Sequence, residues 1–89
     1  MADASYQIRF EAQVLKQLRK IDTQNQLRIL AAANLLAQNP RPPAAKKLVG
    51  HDRLWRIRVG DYLIIYTIQE SDLVIIVVQV GHRRDVYKF

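Results

Sequence analysis

The chain has 89 residues, of which 49% are hydrophobic, and its 14 lysines and arginines outweigh 8 aspartates and glutamates to give a net charge of +6. This size fits one domain over residues 1–89 and excludes a separate catalytic domain, while the positive charge favours a polyanionic partner. With no cysteine, disulfides, thiolate catalysis and cysteine-based zinc sites are excluded, and no apolar run approaches the roughly 20 residues that span a bilayer. We expect a cytoplasmic protein with no metal, no cofactor and no membrane contact.

The N-terminal part of the sequence predicts one strand followed by two helices. Residues 6–10 alternate apolar and polar side chains, which predicts a strand with one buried face. Residues 14–21 place apolar side chains at helical spacing with basic residues opposite, which predicts an amphipathic helix. A second helix is expected to begin with a capping box of Thr23 and Gln26 and to end near Asn39, because a proline follows. Its apolar stripe is predicted to comprise Leu27, Leu30, Ala31, Asn34 and Leu35.

The rest of the sequence predicts three more strands. Alternation over residues 55–59, a turn at Gly60 and Asp61, and an apolar run over residues 62–68 indicate a β-hairpin. Residues 73–80 are almost all apolar, which is typical of a strand in the middle of a sheet. We therefore predict an α+β fold of order β-α-α-β-β-β, in which an N-terminal helix hairpin packs on one face of a small, mainly antiparallel four-stranded sheet.

The strand over residues 55–59 is predicted to have two chemically different faces. Trp55, Ile57 and Val59 should point towards the helices, and this places Arg56 and Arg58 on the opposite, open face. Two guanidinium groups at this spacing can bind a phosphate, although the same spacing also occurs on ordinary solvated strands. The open face of the sheet is therefore the predicted ligand surface.

Several short segments resemble the RelE branch of the RelE/ParE toxin superfamily. They are residues 47–50, 54–62, 64–66 and 80–83, with residues 86–87 after them. The resemblance covers nearly the whole chain, because the preceding strand and helix pair also agree with the family. It implies a microbial-RNase-like fold and a toxin that cleaves messenger RNA in the ribosomal A site without a metal. In that chemistry the RNA's own 2′-hydroxyl attacks the adjacent phosphate.

The resemblance also implies the catalytic residues. Arg56 and Arg58 match two basic positions on the family's second strand. Arg83 matches an arginine on the last strand, and Tyr87 matches a C-terminal tyrosine. Because arginine stays protonated at ordinary pH, these arginines should stabilise the phosphate and leave Tyr87 as general base or as a stacking partner for a base. His82 suits proton transfer by residue type, but alternation places it opposite Arg83, which favours a structural or antitoxin-facing role.

Two further features are a group of surface cations and one departure from the family pattern. Lys46, Lys47 and Arg53 are candidates for contact with the ribosomal RNA backbone, and a solvated loop is the alternative. Leu63 stands where the family usually has a phosphate-binding arginine. Either the other site residues suffice, or the toxin is weakened, or leucine was introduced to permit expression of a lethal protein.

The resemblance implies partners as well as an activity. A RelB-like acidic antitoxin should hold the toxin inactive, and the complex of the two should form a higher oligomer on operator DNA. The ribosome and messenger RNA are the implied targets. Two alternatives remain: a ParE-like protein that inhibits DNA gyrase without hydrolysis, and an RNA-binding module that leaves its RNA uncut.

Overall fold

The computed structural model describes residues 5–86, which form five strands and three helices. In chain order these elements are β1 (Gln7–Phe10), α1 (Ala12–Arg19), α2 (Thr23–Leu36), β2 (Lys46–Lys47), β3 (Trp55–Val59), β4 (Tyr62–Gln69), β5 (Val74–His82) and α3 (Arg83–Val86). Among the described residues, no helix has the length and apolar character needed to cross a bilayer.

The strands form one mixed sheet in the order β1-β5-β4-β3-β2. β1 runs parallel to β5, and all the other neighbouring strands are antiparallel. The predicted α+β class is confirmed, and the long apolar strand β5 lies inside the sheet as expected. The sheet has five strands where four were predicted, because β2 is only two residues long and so short a segment shows no alternation.

Helices α1 and α2 cover one face of the sheet and form the main core with it. Trp55, Ile57 and Val59 of β3 are partly buried against this core, which confirms their predicted orientation towards the helices. The buried residues of the main core are Val14, Leu18, Ile21, Ile29, Leu36, Ile64, Tyr66, Ile75, Val77 and Val80.

The start and the buried face of α2 differ from the prediction. The N-cap is Asp22, whose carboxylate accepts the Asn25 backbone N–H at 3.2 Å, so Thr23 and Gln26 do not form the expected capping box. The buried face carries Ile29, Ala33 and Leu36, whereas two leucines of the predicted stripe are exposed. α2 is apolar around much of its circumference, and helical spacing alone therefore could not identify the face that packs.

The opposite face of the sheet carries a second, smaller apolar cluster. Leu63 and Ile65 of β4 are fully buried there beneath Val86 of α3, and Leu48 and Leu54 pack around them. The expectation that this whole face is open is therefore wrong. Helix α3 was not predicted, because a helix of four residues is too short to show a period.

Tyr66 links the main core to the loop that follows α2. Its buried hydroxyl donates a hydrogen bond to the Pro40 carbonyl at 2.7 Å. Burial raises the pKa of Tyr66 to about 12, against the usual 10.0. The neutral phenol is thus favoured in the folded state, and its contribution to stability is complete below pH 10 and lost as the pH rises towards 12.

We expect Tyr66→Phe to lower the free energy of unfolding by about 1 kcal/mol near neutral pH, because it leaves the Pro40 carbonyl without its donor. At pH 11 the difference between the two proteins should shrink by roughly 1 kcal/mol, since only wild type loses the tyrosine contribution. Urea unfolding at both pH values measures this. A difference that is the same at pH 8 and pH 11 would contradict the role assigned to the phenol.

Candidate nucleic-acid interface

Strand register gathers basic side chains at one edge of the face opposite the helices. Lys46 pairs with Arg56 across β2 and β3, and Arg56 pairs with Ile65 on β4. Directly paired residues point to the same face, so Lys46 and Arg56 lie beside the second apolar cluster. Arg58, two residues along β3, shares that face and pairs with Leu63. We call Lys46, Arg56, Arg58 and the neighbouring Arg83 the basic surface.

The turn between β3 and β4 holds two of these arginines. Arg58 Nε donates to the Gly60 carbonyl at 2.7 Å, and its guanidinium lies 3.7 Å from the Asp61 carboxylate. The backbone N–H of Arg83 donates to the Asp61 carbonyl at 2.9 Å. Gly60 has φ 61°, a conformation that glycine adopts without strain. The turn therefore brings the starts of both arginine side chains together, although they are 25 residues apart (83 − 58).

The groups at this turn remain accessible to an anion. The side chains of Arg58 and Asp61 are 55% and 66% exposed, and Arg83 is also exposed. An exposed ion pair of this kind contributes only about 0–1 kcal/mol, so a phosphate can replace the Asp61 carboxylate at low cost. Asp61 was not predicted as a site residue. The turn motif that contains it was nevertheless visible in the sequence.

Arg83 does not lie on β5, where it was predicted. Arg83 is the first residue of α3, because the strand ends at His82 and the chain turns into the helix. His82 Nδ1 accepts the Arg84 backbone N–H at 3.2 Å, and its ring contacts Tyr62 edge-on with centroids 5.6 Å apart. Tyr62 packs against the main core, so His82 lies on the helix side, away from the basic surface. Tyr87 lies outside the described residues.

The position of the missing family arginine is filled by close apolar packing. Leu63 pairs with Gly81 on β5, and an added Cβ on Gly81 would come within 3.0 Å of Val86 Cγ2. The lack of a side chain at Gly81 thus allows α3 to lie close to the sheet, with Val86 above Leu63. Leu63 therefore serves as a core residue in this chain.

The other predicted RNA contacts divide between two places. Lys46 joins the basic surface, whereas Lys47 pairs with Trp55 and so points towards the helix side of the sheet edge. Arg53, in the loop before β3, lines a cleft together with Lys47 and Trp55. The structure thus places Lys46, Arg56 and Arg58 on one face, with Arg83 at the adjoining turn, and leaves Lys47 and Arg53 at a separate cleft.

Comparison with known proteins agrees with this architecture. Residues 8–87 match the sequence profile of the family described as "ParE toxin of type II toxin-antitoxin system, parDE". A putative RelE-like toxin protein of Escherichia coli is 33% identical over 86 residues, which cover 92% of this chain and 90% of the relative. The RelE–RelB complex from Pyrococcus horikoshii contains a chain with 30% identity and a TM-score of 0.78, covering 89% of this chain and 96% of that one. The RelBE2 toxin–antitoxin complex of Mycobacterium tuberculosis, at 21% identity and a TM-score of 0.80, shares the fold over 92% of this chain and 95% of its own.

Proposed function

Because the chain belongs to the RelE/ParE superfamily and is a RelE-type toxin of a toxin–antitoxin system, we propose that it is an endoribonuclease that cleaves messenger RNA in the ribosomal A site. The observation that carries this proposal is the convergence of Arg58 and Arg83 on one turn beside Arg56 and Lys46. Four cationic side chains on one exposed edge suit the phosphate backbone of single-stranded RNA.

The arginines act on the charge that develops during cleavage. Attack by the 2′-hydroxyl puts additional negative charge on the phosphate oxygens, and fixed guanidinium groups stabilise that charge more in the transition state than in the ground state. Arg58 is oriented by its side-chain hydrogen bond to Gly60, whereas the backbone bond to Asp61 fixes only where the Arg83 side chain begins. Arg58 therefore needs little reorientation when the phosphate binds, which is the condition under which such groups are most effective.

Proton transfer is assigned to Tyr87, as the family resemblance implies. Its phenolate oxygen would accept the 2′-hydroxyl proton, or its ring would stack on a base and hold the nucleotide in line. As the 2′-oxygen bonds to phosphorus, the bond from phosphorus to the 5′-oxygen breaks, and that oxygen leaves with a proton taken from water. His82 is not assigned this role, because its ring contacts Tyr62 on the other side of the sheet. The protein supplies charge and positioning, and the RNA supplies the nucleophile.

A RelB-like antitoxin is the proposed partner. Leu27 and Leu35 of α2 are 62% and 67% exposed, and Leu35 borders an apolar groove of about 290 Å³ that also contacts Pro42 and Ile57. An acidic segment with apolar residues at helical spacing would cover this groove and be attracted by the net charge of +6. Affinity purification from the native host should recover a small acidic protein, and recovery of none would contradict the proposal.

Inhibition of DNA gyrase is the second candidate function. Two observations favour it: the match to the ParE family and the apolar packing of Leu63 in place of a phosphate-binding arginine. A protein that acts only by binding would need the basic and apolar surfaces but no charge stabilisation during a reaction.

Ribosomes programmed with a defined codon in the A site test the two functions when a gyrase supercoiling assay is run in parallel. We expect the purified protein to cut the messenger RNA within that codon and to leave gyrase active. An unchanged messenger RNA together with inhibited supercoiling would reverse the assignment. The same messenger RNA without ribosomes measures cleavage of free RNA.

A further inference from the structure

The chain's only tryptophan lies at the sheet edge among cations. Trp55 begins β3 and is partly exposed. The Arg41 guanidinium carbon lies 5.5 Å from the ring centroid, and Lys47 Nζ lies 5.7 Å from it. Both cations are within the range in which the electrons of an aromatic ring attract a positive charge. An aromatic surface is thus held in a positively charged environment at the boundary of the protein.

A solvent-open cleft of about 330 Å³ surrounds this ring. Its charged residues are three cations and two carboxylates: Arg41, Lys47, Arg53, Asp52 and Glu70. Glu70 forms an ion pair with Arg41, which holds that guanidinium in place. Among the described residues, no carboxylate lies within ion-pair distance of Lys47 or Arg53. These two cations are therefore available to an external anion.

The cleft is close to the basic surface but lies on the other side of the sheet edge. Lys47 pairs with Trp55, and the adjacent Lys46 pairs with Arg56, so the two pairs point to opposite faces. Trp55 and Arg58 are three residues apart on one strand, a distance of roughly 10 Å at about 3.3 Å per residue. A single RNA strand that crosses the β2 edge could therefore contact both places.

We propose that this cleft binds one nucleotide of single-stranded RNA, with its base stacked on Trp55 and its phosphate held by Lys47 and Arg53. The proposal rests on the proposed action on RNA and adds a second contact outside the cleaving surface. Proteins commonly bind unpaired nucleotides by combining aromatic stacking with cations along the backbone. Lys47 moves from the ring to the phosphate as the base arrives, whereas Arg41 stays paired with Glu70.

Intrinsic fluorescence gives a direct test, because all tryptophan emission comes from Trp55. We would titrate the protein with a short 2′-O-methyl oligoribonucleotide, which lacks the attacking hydroxyl and cannot be cut. Saturable quenching that weakens with added salt is expected. Lys47→Ala and Arg53→Ala should each raise Kd by about fivefold or more and lower the salt dependence by about one released ion. Lys16→Ala, which removes an exposed lysine of α1 away from the cleft, should bind like wild type.

Binding of a fluorescently labelled oligoribonucleotide tests the stacking contact itself. Trp55→Ala should raise Kd by roughly 5- to 150-fold, whereas Trp55→Phe keeps an aromatic face and should stay near wild type. The Phe variant also controls for loss of folding in the Ala variant, and thermal unfolding of both is measured alongside. Equal Kd values for folded Trp55→Ala and wild type would overturn the proposal.

The outcomes separate this proposal from the proposed cleavage activity. If ribosome-bound messenger RNA is cut but Trp55 fluorescence does not respond to RNA, the cleft proposal is wrong and the cleavage proposal stands. If the oligonucleotide quenches Trp55, Lys47→Ala weakens that quenching and no messenger RNA is cut, the cleft proposal stands and the cleavage proposal is wrong. Quenching by inorganic phosphate at the same concentrations would show a simple anion site and overturn the stacking contact, and equal affinity for duplex DNA would overturn the preference for a single strand.

Discussion

Replacing Leu63 with arginine should lower the free energy of unfolding by about 3–5 kcal/mol, because the guanidinium would be buried without a partner. Leu63 is fully buried in one cluster with Ile65 and Val86, and Leu48 and Leu54 pack against that cluster. The substitution restores the residue that the family usually has, so the family pattern alone predicts a gain in activity. Packing in this chain predicts a loss of stability instead. Denaturant unfolding measures the effect, with Leu63→Met as a control of similar volume that should cost less than about 1.5 kcal/mol.

The opposite result would be equally informative about α3. If Leu63→Arg were as stable as wild type and cleaved messenger RNA faster, Val86 would have to move away and let the new side chain reach the basic surface. Leu63 would then cover an active site without being needed for the fold. In the observed packing, Leu63 contributes to holding α3 in place and thereby positions Arg83, the first residue of α3.

Arg58→Ala should slow cleavage on programmed ribosomes by about 2–4 kcal/mol in the activation free energy, or roughly 30- to 1,000-fold, since about 1.36 kcal/mol is tenfold. The reason is that Arg58 is oriented by the Gly60 carbonyl on the exposed side of the turn that also holds Arg83. Stability should change by less than about 1 kcal/mol, because its ion pair with Asp61 is exposed. A single-turnover rate isolates the chemical step.

Two controls accompany that measurement. Arg19→Ala removes an exposed arginine from α1 and should cleave at the wild-type rate. Arg58→Lys keeps the charge but loses the planar pair of donors, so an intermediate rate is expected. Cleavage by Arg58→Ala at the wild-type rate would show that Arg58 does not stabilise the transition state.

The sequence predicted those parts of the fold that repeat a pattern over several residues. Alternation in β3 correctly assigned Trp55 to the helix side and Arg56 to the other face, because a strand has no other way to place consecutive side chains. The apolar run in β5 correctly indicated a central strand. The hairpin turn was also visible, since Gly60 and Asp61 interrupt two strand patterns.

Features that depend on contacts between distant segments could not be predicted in the same way. The cover over Leu63 comes from a helix of four residues and an irregular loop, and neither has a period. The register shift between β4 and β5 near Ile65 and Tyr66 inserts an extra residue, Val78, and so changes which β5 side chains face the helices. The link between the turn and Arg83 is a backbone hydrogen bond, which any residue type except proline could make.

The parallel pairing of β1 with β5 has a consequence for biosynthesis. β1 pairs Gln7 with Val74, and α1 is tied to the same strand, because Gln13 donates to the Val78 carbonyl and Gln17 accepts the Val80 N–H. β1 and α1 leave the ribosome before β5 and therefore lack this partner until β5 has been translated, and contacts this distant in sequence form slowly. Nascent chains that stop before β5 cannot complete the sheet. The cell is thus exposed to a folded toxin only after β5 has been synthesised, and products terminated before β5 should be substrates for proteases.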